Sequence, residues 1–328
     1  MGPQRKVGCG RALGRYFRHN ICPFFCQPFA MFVVPKEVKR GDTVFVIAPS
    51  SAVDRDEFER TIKTLESLGF RAKYRDDIFD KQLNFAGTAQ RRREEILDAI
   101  NDEESTVIWA ARGGYGAGYL SEVLDLEKIQ KAKKWLVGFS DITVLHAAWT
   151  RAGVCSLHGS TVGYLERWSE DANNELLSYL MKAGEHVLEG RPVRGTTSAM
   201  GWLTGGNITL LASMVGTGYL PCWRGAILFL EDVTEAPYRL DRQLLQLYQA
   251  GAFEGVVGVA IGQFTDCPTK DPADTAESRV VGFLMTHLQV PIITGIQVGH
   301  ENNSRPLPFG ATAILEPAGL LRIGANPN

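Results

Sequence analysis

The chain has 328 residues, 45% of them hydrophobic, and carries 35 Lys and Arg against 37 Asp and Glu, for a formal net charge of -2 at pH 7. Two domains fit within that length. The balanced charge, with no sustained basic stripe, argues against nucleic acid as a partner, and no apolar run approaches the roughly 20 residues that cross a bilayer.

Residues 1–30 stand apart, with Arg5, Lys6, Arg11, Arg15 and Arg18, no acidic residue, and an apolar part (21–30) broken by Pro23 and Pro28. This suits neither a secretory signal nor an organelle transit peptide. A disordered basic extension or a misassigned start is expected, since Met31 directly precedes a more ordinary opening. Cys9, Cys22 and Cys26 lie here, while Cys155, Cys222 and Cys267 are scattered singly. That is no disulfide framework and suits a reducing compartment. Cys22 and Cys26 have an imperfect ligand spacing and no His pair downstream, so no metal is expected.

From residue 43 apolar runs alternate with helical periods. Thr43 to Ala48 reads as a buried strand closed by Pro49. Phe58, Ile62, Leu65 and Leu68 then share one helical face, with Gly69 where a C-terminal cap belongs. Thr88 to Asn101 reads as a second helix, and Thr106 to Ala111 and Trp135 to Phe139 as strands, so repeated β-α units predict a largely parallel sheet. A polar stretch of helical character over 166–195 ends at Gly190-Arg191-Pro192. Beyond it come a strand at Ala226 to Leu230, a helix carrying Leu240, Leu244, Leu245 and Tyr248, and strands at Val256 to Ile261 and Val290 to Thr294. Ala311 to Leu315 and Leu320 to Ile323 look like closing strands. The expected architecture is α/β: extension 1–30, an N-terminal parallel-sheet α/β domain 31–165, a connecting helical segment 166–195, and a second α/β domain 196–328.

Four features carry chemistry. The first is Ser140, where the strand pattern ending at Phe139 flips into the helical pattern Asp141 to His146. A hydroxyl there stands at the carboxyl edge of a sheet with helix amides behind it, although a Ser at that position also reads as a plain helix cap. A Gly-rich loop, Arg112-Gly113-Gly114-Tyr115-Gly116-Ala117-Gly118, follows a strand and exposes backbone amides suited to a phosphate or an oxyanion. It matches neither the Walker nor the dinucleotide spacing. Glu231 and Asp232 end an apolar strand, where sites in open α/β sheets gather, and His300 follows Gly299 in a polar loop. His146 and His287 sit in helical settings that suggest core or surface roles.

The order Ser, Glu, His is compatible with triad logic, in which His takes the serine proton and the carboxylate fixes its tautomer. The α/β-hydrolase elbow fails here, because Ile142 stands where that motif needs Gly. Ser50, Ser51, Ser160 and Cys155 are rival nucleophiles, with Ser160 the strongest.

Taken together, Ile47-Ala48-Pro49-Ser50, Phe85-Ala86-Gly87-Thr88, Arg112-Gly113-Gly114-Tyr115-Gly116, Gly138-Phe139-Ser140-Asp141, Gly205-Gly206-Asn207, Leu230-Glu231-Asp232 and Gly299-His300 resemble the LD-carboxypeptidase family of serine peptidases. That family includes murein tetrapeptide carboxypeptidases and microcin C self-immunity peptidases. The resemblance covers residues 40 to 320 in order. It implies Ser140 as nucleophile, Glu231 as triad carboxylate and His300 as general base. The amide of Asp141 and one from Gly113 or Gly114 would be oxyanion donors. The partner of the substrate carboxylate is left open, with Arg112 and Arg305 as candidates. The active site would lie between the domains. It further implies a cytoplasmic enzyme without cofactor or metal, often a homodimer, that releases D-Ala from a murein-derived peptide. The short Ser140-to-Glu231 stretch favours the murein branch over the immunity branch, which cleaves aminoacyl-adenylate mimics. A non-catalytic muropeptide-binding module would have lost a triad member, and all three are present.

Overall fold

A computed structural model describes residues 32–182 and 184–324; the extension over 1–30, with Cys22 and Cys26, lies outside them. The first half runs β1 (Thr43–Ile47), α1 (Arg55–Ser67), β2 (Arg71–Lys73), a hairpin of β3 (Lys81–Gln82) and β4 (Phe85–Ala86), α2 (Ala89–Asn101), β5 (Ser105–Ala110), α3 (Leu126–Ala132), β6 (Trp135–Gly138), α4 (Thr143–Arg151) and β7 (Ser156–His158). The second runs α5 (Glu170–Met181), β8 (His186–Glu189), β9 (Arg191–Arg194), β10 (Ala199–Asn207), α6 (Ile208–Ser213), β11 (Ala226–Val233), α7 (Pro237–Gln249), β12 (Gly258–Thr265), α8 (Ala276–His287), β13 (Ile292–Thr294), β14 (Leu307–Phe309), β15 (Thr312–Leu315) and β16 (Leu320–Ile323).

Local chemistry starts and stops these elements. The Asp54 carboxylate caps α1 by accepting from Glu57 N, and Thr88 caps α2 by accepting from Arg91 N, each satisfying a free amide of the first turn. Gly69, at φ +96°, leads the chain out of α1 in the left-handed conformation that glycine adopts without strain.

The first sheet has the order β14-β7-β6-β5-β1-β2 and is parallel except where β14 runs antiparallel to β7. The second, β8-β16-β15-β10-β11-β12-β13-β9, is parallel through its centre from β10 to β13 and antiparallel at both flanks. The protein is thus a two-domain α/β fold. The halves nevertheless share a core: one buried cluster runs from Ile47, Ile108 and Leu136 through Leu145 and Trp149 of α4 to Leu211, Leu228 and Leu244. Every residue of α4 from Thr143 to Thr150 is buried, as a helix enclosed on all sides requires.

One expectation needs correction. The stretch 166–195 is helical only over Glu170–Met181, and from His186 it forms β8 and β9 of the second sheet. These edge strands bury only Leu188 between them, so no apolar alternation marks them. The expected helix carrying Leu240, Leu244, Leu245 and Tyr248 is α7, whose inward stripe is Leu240, Leu244 and Leu247 while Leu245 is 39% exposed; three- and four-residue steps hold a side chain on one helical face, and a five-residue step does not.

A candidate active site between the two sheets

Ser140 sits on a sharp turn between β6 and α4. Phe139 is extended at φ -148°, Ser140 turns into the left-handed region at φ +63°, and a single 3-10 turn over Ser140–Ile142 leads into the helix. That conformation costs an L-residue on the order of 1–2 kcal/mol, and such strain persists where surrounding packing holds it. The helix-cap alternative fails, because Ile142 occupies the cap position of α4 and Phe139 that of the 3-10 turn, and Ser140 Oγ makes no hydrogen bond among the described residues. Gly138 answers for the missing glycine at 142: a Cβ on Gly138 would lie 2.9 Å from Ile142 Cγ1. His146 braces the strand end from within the core. Its Nε2 lies 2.8 Å from the Gly138 carbonyl, which can only accept, so Nε2 carries the proton and Nδ1 accepts from Ser156 Oγ at 2.8 Å. Burial pushes this imidazole down to about 4, and it stays neutral.

Glu231, two residues before the end of β11, sits at a register shift between Leu230 and Asp232 against β12, a bulge of the kind that re-aims a side chain. It is fully buried, and its Oε2 accepts from His300 Nδ1 at 2.9 Å. His300 rides on the loop that carries the chain from the second sheet back to β14 in the first. Ser304, fully buried, pins that loop by accepting from Gly299 N at 2.9 Å and donating to Gly299 O at 3.0 Å. Burial works against the imidazolium, yet the charge and hydrogen bond of Glu231 outweigh it and hold His300 above the ordinary histidine value. His300 Nε2 is buried without a hydrogen-bond partner among the described residues. Asp232 is engaged elsewhere, accepting from Asn207 Nδ2, Thr209 N and Oγ1 and Val233 N at 2.8–2.9 Å. The adjacent carboxylates therefore divide: one meets His300 and the other closes a turn.

A cavity of about 310 Å³ opens between the halves and is lined by Ser140, His300, Gly113 and Gly114 together with Phe139 and Arg112. A Cβ on Gly114, at φ +108°, would meet Ser51 Oγ at 2.2 Å, so only glycine fits there. Arg112 is exposed on the wall and donates from Nη1 to Ala52 O at 3.1 Å. Arg305, the other guanidinium considered for the substrate carboxylate, is instead bound to Glu175 and does not line the cavity. Arg167 does line it, paired at 3.3 Å with Glu57 and stacked on Tyr164. Sequence reasoning missed Arg167 and Glu57, which sit among ordinary surface charges with no local signal.

None of the rival nucleophiles opens onto this cavity. Ser160 is fully buried and donates to Thr161 O at 2.9 Å, and Ser50 is fully buried and donates to Asp141 Oδ2 at 2.6 Å. Ser51 accepts from Tyr115 N at 3.2 Å, and burial pushes the Cys155 thiol up to about 12. No group of three or more His, Cys, Asp or Glu among the described residues is arranged to hold a metal ion.

The family model of the LD-carboxypeptidase N-terminal domain matches residues 44–159, and that of the C-terminal domain matches residues 200–315. The chain belongs to the LD-carboxypeptidase family. It is accordingly a peptidase, a hydrolase of the serine type that defines this family. A murein tetrapeptide carboxypeptidase of Pseudomonas aeruginosa is 36% identical over 285 residues, covering 83% of this chain and 92% of the relative. A probable murein peptide carboxypeptidase of Bacillus subtilis is 31% identical over 304 residues, covering 88% and 93%. Among solved structures, muramoyltetrapeptide carboxypeptidase from Oxalobacter formigenes superposes with a TM-score of 0.78 at 29% identity, covering 87% of this chain and all of that one. MccF in complex with glutamyl sulfamoyl guanosine shares the LD-carboxypeptidase fold at a TM-score of 0.79 but only 18% identity, covering 90% and 99%.

Proposed function

We propose that this LD-carboxypeptidase hydrolyses the amide between an L-configured centre and a terminal D-amino acid, releasing D-Ala from a murein tetrapeptide during peptidoglycan recycling. In this reading Ser140 Oγ attacks the carbonyl while His300 Nε2 takes its proton. Glu231 holds the imidazole by Nδ1 and offsets the charge it gains. The amides of Asp141 and of Gly113 or Gly114 receive the oxyanion, the protonated His300 returns its proton to the leaving amine, and water hydrolyses the acyl-enzyme. Arg112 and Arg167 offer positive charge to the peptide carboxylates. The observation that carries the reading is His300: one nitrogen is anchored on a fully buried carboxylate, and the other is buried and unpartnered in a ring that lines the same cavity as Ser140.

Identity favours the murein substrate over an aminoacyl-adenylate mimic, at 36% to a murein tetrapeptide carboxypeptidase against 18% to MccF. Cytoplasmic recycling fits a chain in which no helix of the described residues is long and apolar enough to cross a membrane. The reading includes a homodimer. Incubation with muramyl tetrapeptide and, separately, with an aminoacyl sulfamoyl adenylate, with products identified by mass, tests it. Release of D-Ala is the expected result, and cleavage of the adenylate alone would transfer the chain to the immunity reaction.

A pH dependence follows from the Glu231–His300 pair. His300 must be neutral to accept the serine proton, so kcat/KM rises with pH through the free-enzyme value of this group, which lies above the ordinary 6.5. Glu231→Gln removes the charge that favours the imidazolium, so the acidic limb is expected to move to lower pH while turnover falls. A pH–rate profile of both proteins checks this, and an unmoved limb would place the titration on another group.

A further inference from the structure

The Gly-rich loop and the nucleophile turn come from different β-α units, yet the proposed mechanism needs their amides in one geometry. We propose that Asp141 and Arg92 are positioning residues that clamp a single peptide unit, Gly116–Ala117, and thereby set the oxyanion donors against Ser140. The proposal rests on the acyl-transfer reading above.

Both ends of that peptide are held by charge. Its carbonyl, Gly116 O, accepts from Arg92 Nη1 at 2.9 Å, and its N–H, on Ala117, donates to Asp141 Oδ2 at 2.8 Å. A guanidinium at the carbonyl and a carboxylate at the N–H match the two ends of the peptide dipole, and such charge-assisted bonds are about twice as strong as neutral ones. The same two side chains reach the end of the first strand: Arg92 Nη1 also donates to Pro49 O at 3.0 Å, and Asp141 Oδ2 also accepts from Ser50 Oγ at 2.6 Å. Three segments thus meet in one device, namely the Pro49–Ser50 turn, the loop carrying Gly113 and Gly114, and the turn carrying Ser140. Arg92 is 2% exposed and Asp141 1% exposed, so neither bond competes with bulk water. Gly116 is part of the fit, since a Cβ there would lie 2.2 Å from Arg92 Nη1.

Neither side chain lines the cavity, so their loss should disturb the developing oxyanion more than the bound peptide. Gly113 shows how little slack exists: a Cβ on it would already lie 3.2 Å from Ser140 Cβ, so movement of the loop shifts the amides directly against the nucleophile. Asn at 141 keeps an acceptor for Ala117 N–H while removing the charge. Ala removes both.

The test compares wild type with Asp141→Ala, Asp141→Asn and Ser50→Ala by kcat, KM and inhibition by a substrate-like peptide aldehyde, which forms a tetrahedral adduct on the serine. For Asp141→Ala, kcat is expected to fall about 10²-fold, as when one oxyanion donor is lost, with KM within about 3-fold of wild type. Aldehyde affinity should fall by the same factor as kcat/KM, Asp141→Asn should recover part of both, and Ser50→Ala should show the same coupled loss in smaller measure. If Asp141→Ala does not fold, the other two variants carry the comparison. Unchanged aldehyde affinity in folded variants, or a loss confined to KM, would overturn the clamp and leave the serine reading standing. Failure of the aldehyde to inhibit wild type would reject the serine reading and the clamp with it.

Discussion

Ser140→Ala is expected to lower turnover by about 10⁴-fold or more while the protein stays folded. The residual rate would come from oxyanion donors and substrate binding, which survive loss of the nucleophile. Folding should survive because Ser140 Oγ makes no hydrogen bond among the described residues, so the substitution removes no internal bond. Steady-state assay of D-Ala release, with thermal unfolding as the control, checks both halves. Wild-type activity in the purified variant would end the assignment. Ser160 would not then be the natural replacement, because it is fully buried and already donates to Thr161 O.

The second large effect is stereochemical. The enzyme should release D-Ala from the L-to-D bond of a tetrapeptide and leave the D-Ala-D-Ala bond of the pentapeptide uncut. An acyl centre of D configuration cannot present its carbonyl both to Ser140 and to the amides of the Gly-rich loop while its side chain and terminal carboxylate keep their places. Small displacements of reacting atoms cost about 10²-fold, and each misplaced oxyanion donor a further ~3 kcal/mol. Free D-Ala measured from both peptides at equal concentration decides it. Comparable release would refute the L,D preference without touching the serine mechanism.

Much of this protein is legible in the chain because helices and strands are written in short-range periodicity. Phe58, Ile62 and Leu65 fall at helical spacing and are buried in α1, and the apolar run at 43–48 contains the fully buried β1 over Thr43–Ile47. The edge strands β8 and β9 escaped that reading, since a strand that packs little of itself against the core carries no alternation.

The site divides along the same line. Ordered short motifs make Ser140, Glu231 and His300 candidates from the sequence alone: Ser140 follows β6, Glu231 lies near the carboxyl end of β11 and His300 lies in the loop after β13, and sites in open α/β sheets gather at the carboxyl edge. What no local pattern contains is the separation of 69 residues across which His300 meets Glu231, the bulge that aims that carboxylate, or the left-handed turn at Ser140. Nor does it show that Arg305 is bound to Glu175 while Arg167 faces the cavity, or that Arg92 and Asp141 grip opposite ends of one peptide. Local sequence determines which backbone shape is cheap, and it does so residue by residue. Which polar groups find each other is decided only when two sheets close on a common core, because burial then leaves each charge and each amide with the partners that the packing brings within reach.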